Sequence, residues 1–377
     1  MRADVPFVDF AAHVGAMRPE IDEAVARVLD SGWFILGPEV EALEHELAAA
    51  FGAREAVAVA NGTEALQLAL AVRGVGPGDE VVTTSLSAAF TALAIQATGA
   101  RPVFVDVDPL TLNLDPEAAA QAVTTGTKAL VPVHLYGHPA DMDPILALGR
   151  QADLAVVEDA CQAHGARYRD RPVGTLAGED GLGALSFYPT KNLGALGDGG
   201  ALLVGDAGAA ARLRQLRNGG QTDRYRHGTP GINSRLDELQ AAILRVGLRH
   251  LPRWTERRRA IAAFYAEALE DAGLDLPREQ GYARSVHHLY VVRHPQRDAL
   301  AAALRQRGIS TLIHYPIPLH LQPAFAPLGG APGDLPVVEK AAGEILSLPL
   351  YPEMTDAQAE TVVAAVRDST CALSARA

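Results

Sequence analysis

Gly183-Ala184-Leu185-Ser186-Phe187-Tyr188-Pro189-Thr190-Lys191-Asn192-Leu193-Gly194-Ala195-Leu196-Gly197-Asp198-Gly199-Gly200-Ala201-Leu202-Leu203-Val204 sets one lysine in a glycine-rich loop between two short apolar runs. The runs 183–187 and 200–204 read as strands. A lysine in that setting is a candidate for a Schiff base with a carbonyl cofactor such as pyridoxal phosphate (PLP). Free lysine has a pKa of about 10.4 and is a poor nucleophile at neutral pH. A dry pocket or a nearby cation lowers that value and activates the amine. The alternative is a solvated lysine that ends a strand. The rest of the chain decides between them.

Upstream, apolar runs at 57–60, 80–84, 102–106, 129–135 and 154–159 read as strands, with helices at 64–72 and 88–98 between the first of them. The later runs are continuous rather than alternating, which is how strands buried on both faces look. The expected fold is therefore α/β, with a mostly parallel sheet covered by helices and its ligand at the carboxyl ends of strands. Helices at 18–30, where Ile21, Ala24, Val25 and Val28 share a face, and at 38–51 precede the sheet. An arginine-rich helix at 236–268 is long enough to bridge two lobes. Beyond it, a strand at 287–292, a helix at 297–307 and a strand at 310–313 suggest a small α+β lobe, with an irregular proline-rich section at 316–336 and no clear signal after 367. The expected division is 1–245 for the large domain and 246–377 for the small one.

The chain has 377 residues, 48% hydrophobic and 21% charged, which suits a globular protein with a large core. Its net charge of −12 argues against nucleic acid or an anionic membrane as the main partner. A bound phosphate must then be held by local geometry. Cys161 and Cys371 are the two cysteines and give neither metal spacing nor a disulfide framework, which points to a reducing cytoplasm. The start of the chain lacks the apolar run of a signal peptide, and no run of about 18 apolar residues marks a membrane span. His134, His138, His164, His314 and His320 are scattered without metal spacing, so no metal is expected. Arg253, Arg257, Arg258 and Arg259 read as a salt-bridged solvent face of the long helix.

Asn61-Gly62-Thr63-Glu64 joins a strand to a helix. Free N–H groups at a helix start bind phosphate without a basic side chain, though the same residues also make an ordinary N-cap. Asp159 ends an apolar strand and needs a partner there, either a protonated pyridinium nitrogen or the start of the next helix. Glu158 points to the opposite face of the strand, so the two carboxylates are no acid dyad. Gln162 could reach a cofactor's ring hydroxyl or cap local backbone. Ser186 could reach the same phosphate as Thr63 or be an ordinary strand serine.

The ordered set Asn61-Gly62-Thr63, Val157-Glu158-Asp159-Ala160, Ser186-Phe187, Lys191, Gly197-Asp198-Gly199-Gly200 and Asn233-Ser234-Arg235-Leu236 resembles the DegT/DnrJ/EryC1/StrS family of PLP-dependent sugar aminotransferases. The resemblance runs from Val5 to about Arg367 and implies fold type I, that of aspartate aminotransferase. It implies that Lys191 carries the cofactor and shuttles protons and that Asp159 pairs with the pyridine nitrogen. Gln162 would contact the ring hydroxyl, while Gly62, Thr63 and Ser186 bind the phosphate. Asn233, with Arg235 as rival, would reach the phosphate of a neighbouring subunit, so a homodimer with shared sites is implied. Many members stack an aromatic residue on the cofactor ring; here Ala88 stands at that position.

The lysine loop, with Asp198 where 4-keto enzymes usually carry Glu, resembles the subgroup that aminates dTDP-linked 3-keto-deoxyhexoses. So do Val133-His134-Leu135-Tyr136-Gly137 and the stretch 314–323, which makes Tyr315 and His320 candidate substrate-binding residues. L-glutamate is the implied amino donor. A 4-keto sugar or a keto-cyclitol is the alternative acceptor, and a PLP-binding regulator without turnover is the alternative of another class. Relatives that dehydrate sugars replace the lysine with histidine, so Lys191 argues for transamination.

Overall fold

The computed structural model describes residues 4–374. It opens with α1 (Phe10–Ser31) and α2 (Pro38–Phe51). Alternation then begins: β1 (Glu55–Val59), α3 (Gly62–Val72), β2 (Glu80–Thr84), α4 (Phe90–Ala97), β3 (Arg101–Val105), α5 (Pro116–Ala122), β4 (Thr127–Val131), α6 (Met142–Ala152) and β5 (Ala155–Asp159). β6 (Leu182–Ser186) and β7 (Gly200–Val204) flank the lysine loop, and α7 (Ala207–Leu216) follows. The seven strands form one sheet in the order β1-β7-β6-β5-β4-β2-β3. β7 runs antiparallel to β1 and β6, and the other pairings are parallel.

Both faces of this sheet are covered, which is why its strands read as unbroken apolar runs. Ala56, Ala58, Leu185, Ala201 and Leu203 pack into the core shared with α1, α2 and the long helix. Their chain neighbours Val57, Val59, Ala184, Leu202 and Val204 turn to the other face, against α3, α4 and α7.

The long helix is α8 (Glu238–Ala268). Its first half, through Leu251 and Trp254, packs under the sheet. Its last turns, with Ile261, Ala262 and Tyr265, enter the core of the C-terminal lobe. That lobe holds β8 (Tyr290–Arg293), α9 (Arg297–Gln306), α10 (Pro336–Glu344), β9 (Ile345–Leu348) and α11 (Asp356–Ser374). β8 and β9 pair antiparallel. Val5 joins the same core, so the N-terminal stretch closes onto the lobe.

Three expectations need correction. Residues 310–313 form no strand: Leu312 makes one bridge to Ser347, and Ile309 one to Val5. Pro316 and Pro318 follow closely and have no N–H to extend a ladder. The tail after 367 is helical as far as Ser374. Its buried Ser369 and Thr370 return their hydroxyls to Ala365 and Val366 carbonyls, so polar residues sit on the packed face and blur the apolar pattern. Arg258 is not on a solvent face. It is buried, and its Nη1 donates to the carbonyls of His287, His288 and Leu350. Among the described residues no helix is long and apolar enough to cross a membrane.

Candidate active site

Sheet register gathers the candidate residues. Val59, Gly200 and Ser186 stand in one row across β1, β7 and β6, and Asp159 on β5 lies opposite Ala184 of β6. This row is where β1 runs into α3, so residues distant in sequence meet at one edge.

The start of α3 is tightly enclosed. A Cβ on Gly62 would come within 2.8 Å of Ser186 Cβ and 2.9 Å of Cys161 Sγ. A Cβ on Gly200 would meet Asn61 C at 2.4 Å. Glycine is needed at both positions because backbone from two elements shares the space. Asn61 caps the helix: its Oδ1 accepts from Glu64 N–H at 2.9 Å and its carbonyl from Ala65 N–H at 3.1 Å. Gly62 and Thr63, as the first helical residues, have no intrahelical acceptor for their N–H groups. The capping residue and the N–H groups left free for an anion are thus different residues of the same turn. Ser186 adjoins Gly62 and completes a cradle suited to a phosphate.

Asp159 is 4% exposed. Its Oδ1 accepts from the Cys161 N–H at 3.1 Å and its Oδ2 from Thr91 Oγ1 at 2.7 Å. Glu158 does turn to the other face, where it accepts from Gly174 and Leu176 N–H groups at 2.6 Å each and meets His134 Nε2 at 3.2 Å. Gln162 accepts from Tyr136 N–H at 2.8 Å and donates through Nε2 to the Tyr315 hydroxyl at 3.2 Å. Tyr315 is thereby held beside Gln162, and burial pushes its phenol up to about 12.

The lysine loop is fixed by its own backbone. Phe187 N–H bonds to Gly199 O, Ala195 N–H to Phe187 O, and Lys191 N–H to Tyr188 O, each at 2.8 Å. Burial pushes the Lys191 amine below the ordinary lysine range, with Cys161 and Asp159 opposing. Three histidines, His164, His288 and His314, lie close enough to feel the charge of that amine. Burial, with the Lys191 charge adding to it, lowers His164 to about 3 and His314 to about 4.

Other expected residues are placed less directly. Ala88 is half-buried just ahead of α4, while Phe90 is 61% exposed. Asn233 is exposed, whereas Arg235 donates to Asn218 Oδ1 at 3.2 Å. His320 has no free ring nitrogen for a substrate. Its Nδ1 pairs with Ser85 Oγ at 2.8 Å and its Nε2 with Glu339 Oε1 at 3.1 Å. It braces the loop after β2 instead. Among the described residues no group of three or more His, Cys, Asp or Glu could hold a metal ion.

A sequence profile described as the DegT/DnrJ/EryC1/StrS aminotransferase family matches residues 16–367. The chain belongs to that family. The chain is a PLP-dependent aminotransferase of α/β fold type I. It is 50% identical to dTDP-3-amino-3,4,6-trideoxy-α-D-glucose transaminase of Streptomyces venezuelae, over 97% of this chain and 96% of that protein. It is 47% identical to a pleiotropic regulatory protein of Geobacillus stearothermophilus, over 96% of this chain and 97% of that one. Among solved structures, S. venezuelae DesV in complex with a ketimine intermediate superposes with a TM-score of 0.95 at 49% identity, covering 98% of this chain and 99% of that one.

The DegT/DnrJ/EryC1/StrS aminotransferase needs PLP, and the residues present fit it. The enclosed α3 start suits the phosphate, the paired Asp159 carboxylate suits a protonated ring nitrogen, and the Lys191 amine suits covalent attachment. Sequence reasoning missed Thr91, which reaches Asp159 from α4. The available signal was a hydroxyl in the otherwise apolar first turn of that helix.

Proposed function

We propose that this aminotransferase moves the amino group of L-glutamate to the C3 keto group of a dTDP-linked deoxyhexose, as a homodimer with shared sites. The observation that carries this reading is the Lys191 amine, depressed by burial and set at the strand ends beside Asp159. Bound PLP supplies an electron sink for the negative charge that develops at the donor carbon. Asp159 keeps the ring nitrogen positively charged. The Lys191 amine would take the donor's α-proton and return one in the sugar half-reaction, which an amine can do only when its pKa lies well below that of free lysine. The N–H groups of Gly62 and Thr63, with Ser186, hold the phosphate. The Gln162 bond, which holds the Tyr315 hydroxyl, supports Tyr315 as a substrate-binding residue.

The S. venezuelae transaminase supports a 3-amino sugar nucleotide as product, because the matched region includes the whole lysine loop. The name of the Geobacillus relative supports the regulator reading, but a lysine whose amine burial lowers, held beside Asp159, supports turnover. Exposed Trp33, Phe34 and Ile35, tied to the start of α8 by the Ile35–Asp237 bridge, offer a second copy an apolar face. Free Cys161 and Cys371 support a reducing, cytoplasmic setting.

The test is a spectral titration of the purified protein with L-glutamate, followed by mass spectrometry of products from 3-keto and 4-keto dTDP-sugars and from a keto-cyclitol. Bleaching of the cofactor band and a mass gain on the 3-keto sugar alone are expected. Amination of the 4-keto sugar or the cyclitol in its place would overturn the substrate. A band that glutamate leaves untouched would favour the regulator.

A further inference from the structure

We infer that Thr91 is a positioning residue for Asp159, aiming its carboxylate at the ring nitrogen of PLP. The two side chains meet at 2.7 Å, and Thr91 and Asp159 are 3% and 4% exposed. An ionised carboxylate only accepts, so the hydroxyl must donate. A 2.7 Å contact to a charged oxygen is in the range of the stronger, charge-assisted bonds. Water has little access to replace it, so losing the hydroxyl would leave a buried oxygen short of a donor.

Other helical hydroxyls in this chain behave differently. Thr98, Thr361 and Ser369 return theirs to carbonyls of their own turns, at Ile95, Ala357 and Ala365. Thr91 sends its hydroxyl out of α4 to the end of β5 instead. The terminal torsion of an aspartate is broad and roughly two-fold, so a single bond leaves the carboxylate plane loosely set. Cys161 N–H takes Oδ1 at 3.1 Å from the chain side, and Thr91 takes Oδ2 from the helix side. The pair fixes the plane and leaves the remaining acceptor capacity for the cofactor. Ser87 Oγ lies 3.5 Å from Thr91 Oγ1, too far to add much.

This inference rests on Asp159 being the partner of the ring nitrogen. The test is reconstitution of the wild type, Thr91→Val, Thr91→Ser and Asp159→Asn with PLP labelled with nitrogen-15 in the ring, read by its chemical shift and its dissociation constant. Thr91→Val is expected to move the ring signal toward the unprotonated position and to weaken PLP binding about tenfold. Thr91→Ser should keep both wild-type values. An unmoved signal and affinity in the valine variant, with Asp159→Asn moving both, overturns the inference alone. If Asp159→Asn moves neither, the pairing itself is wrong. Should the valine variant not fold, the serine variant decides: a signal displaced as in Asp159→Asn, despite its hydroxyl, overturns the proposal.

Discussion

Asn192, the residue after Lys191, is hydrogen-bonded to His288 in the segment leading to the C-terminal lobe. Its Oδ1 lies 3.1 Å from His288 Nδ1, and its Nδ2 donates to Val286 O at 3.1 Å. The amide orientation makes Nδ1 of His288 the donor. Asn192 and His288 are both buried, so the clasp ties the lysine loop to that segment without water. Asn192→Leu should strand a donor on His288 and an acceptor on Val286, each costing about 1–3 kcal/mol. Chemical denaturation should show that loss, and kcat should fall at least tenfold while the cofactor stays bound. Wild-type kcat in the variant would show that the clasp does not align the lysine.

Gly62→Ala tests the cradle. Its new Cβ would lie 2.8 Å from Ser186 Cβ, an atom next to the backbone that has little room to yield. Overpacking of this kind costs about 1–3 kcal/mol. PLP titration followed by fluorescence should give a dissociation constant raised at least tenfold. Unchanged affinity would place the phosphate elsewhere.

Lys191→Ala should abolish both turnover and the visible band of the covalently held cofactor. Asp159→Ala should weaken cofactor retention and lower the rate together, because the same carboxylate holds the ring and keeps its nitrogen charged. An active Lys191→Ala protein, or normal kinetics in Asp159→Ala, would break the corresponding assignment.

The sheet and the α3 cradle were legible because their signals are local. Strands buried on both faces, such as 155–159 and 200–204, carry an apolar run that a neighbouring turn interrupts, and Gly62 announces a close approach. Thr91, Asn192 and His320 were not legible. Each owes its role to a partner far along the chain: Asp159, His288, and Ser85 with Glu339. One sequence gives no sign of which distant residue a buried hydroxyl, amide or imidazole will meet. The strand Ile345–Leu348 was also missed, because it follows α10 directly and has no turn to mark its start.

His164 should make the protein acid-sensitive. It is fully buried and stacked on Phe187 with ring centroids 6.0 Å apart, and neither ring nitrogen has a hydrogen-bond partner. Burial, then the Lys191 charge, lowers its pKa from 6.5 to about 3, against a weak opposing pull from the Ser186 backbone. The folded value is the depressed one, so between these limits the unfolded chain binds a proton that the folded chain refuses. Its contribution to stability is whole above the unfolded pKa of 6.5 and is lost as pH falls toward about 3. At pH 5 the loss from this one group is about 2 kcal/mol. His288, pushed well below its ordinary value by burial, acts in the same direction. Urea denaturation at pH 7, 6 and 5 should show stability falling with pH. In His164→Leu that fall should be shallower between pH 6 and 5 by about 1.4 kcal/mol per pH unit, the worth of one proton. An identical slope in the variant would mean that His164 takes up its proton in the folded protein as readily as in the unfolded one.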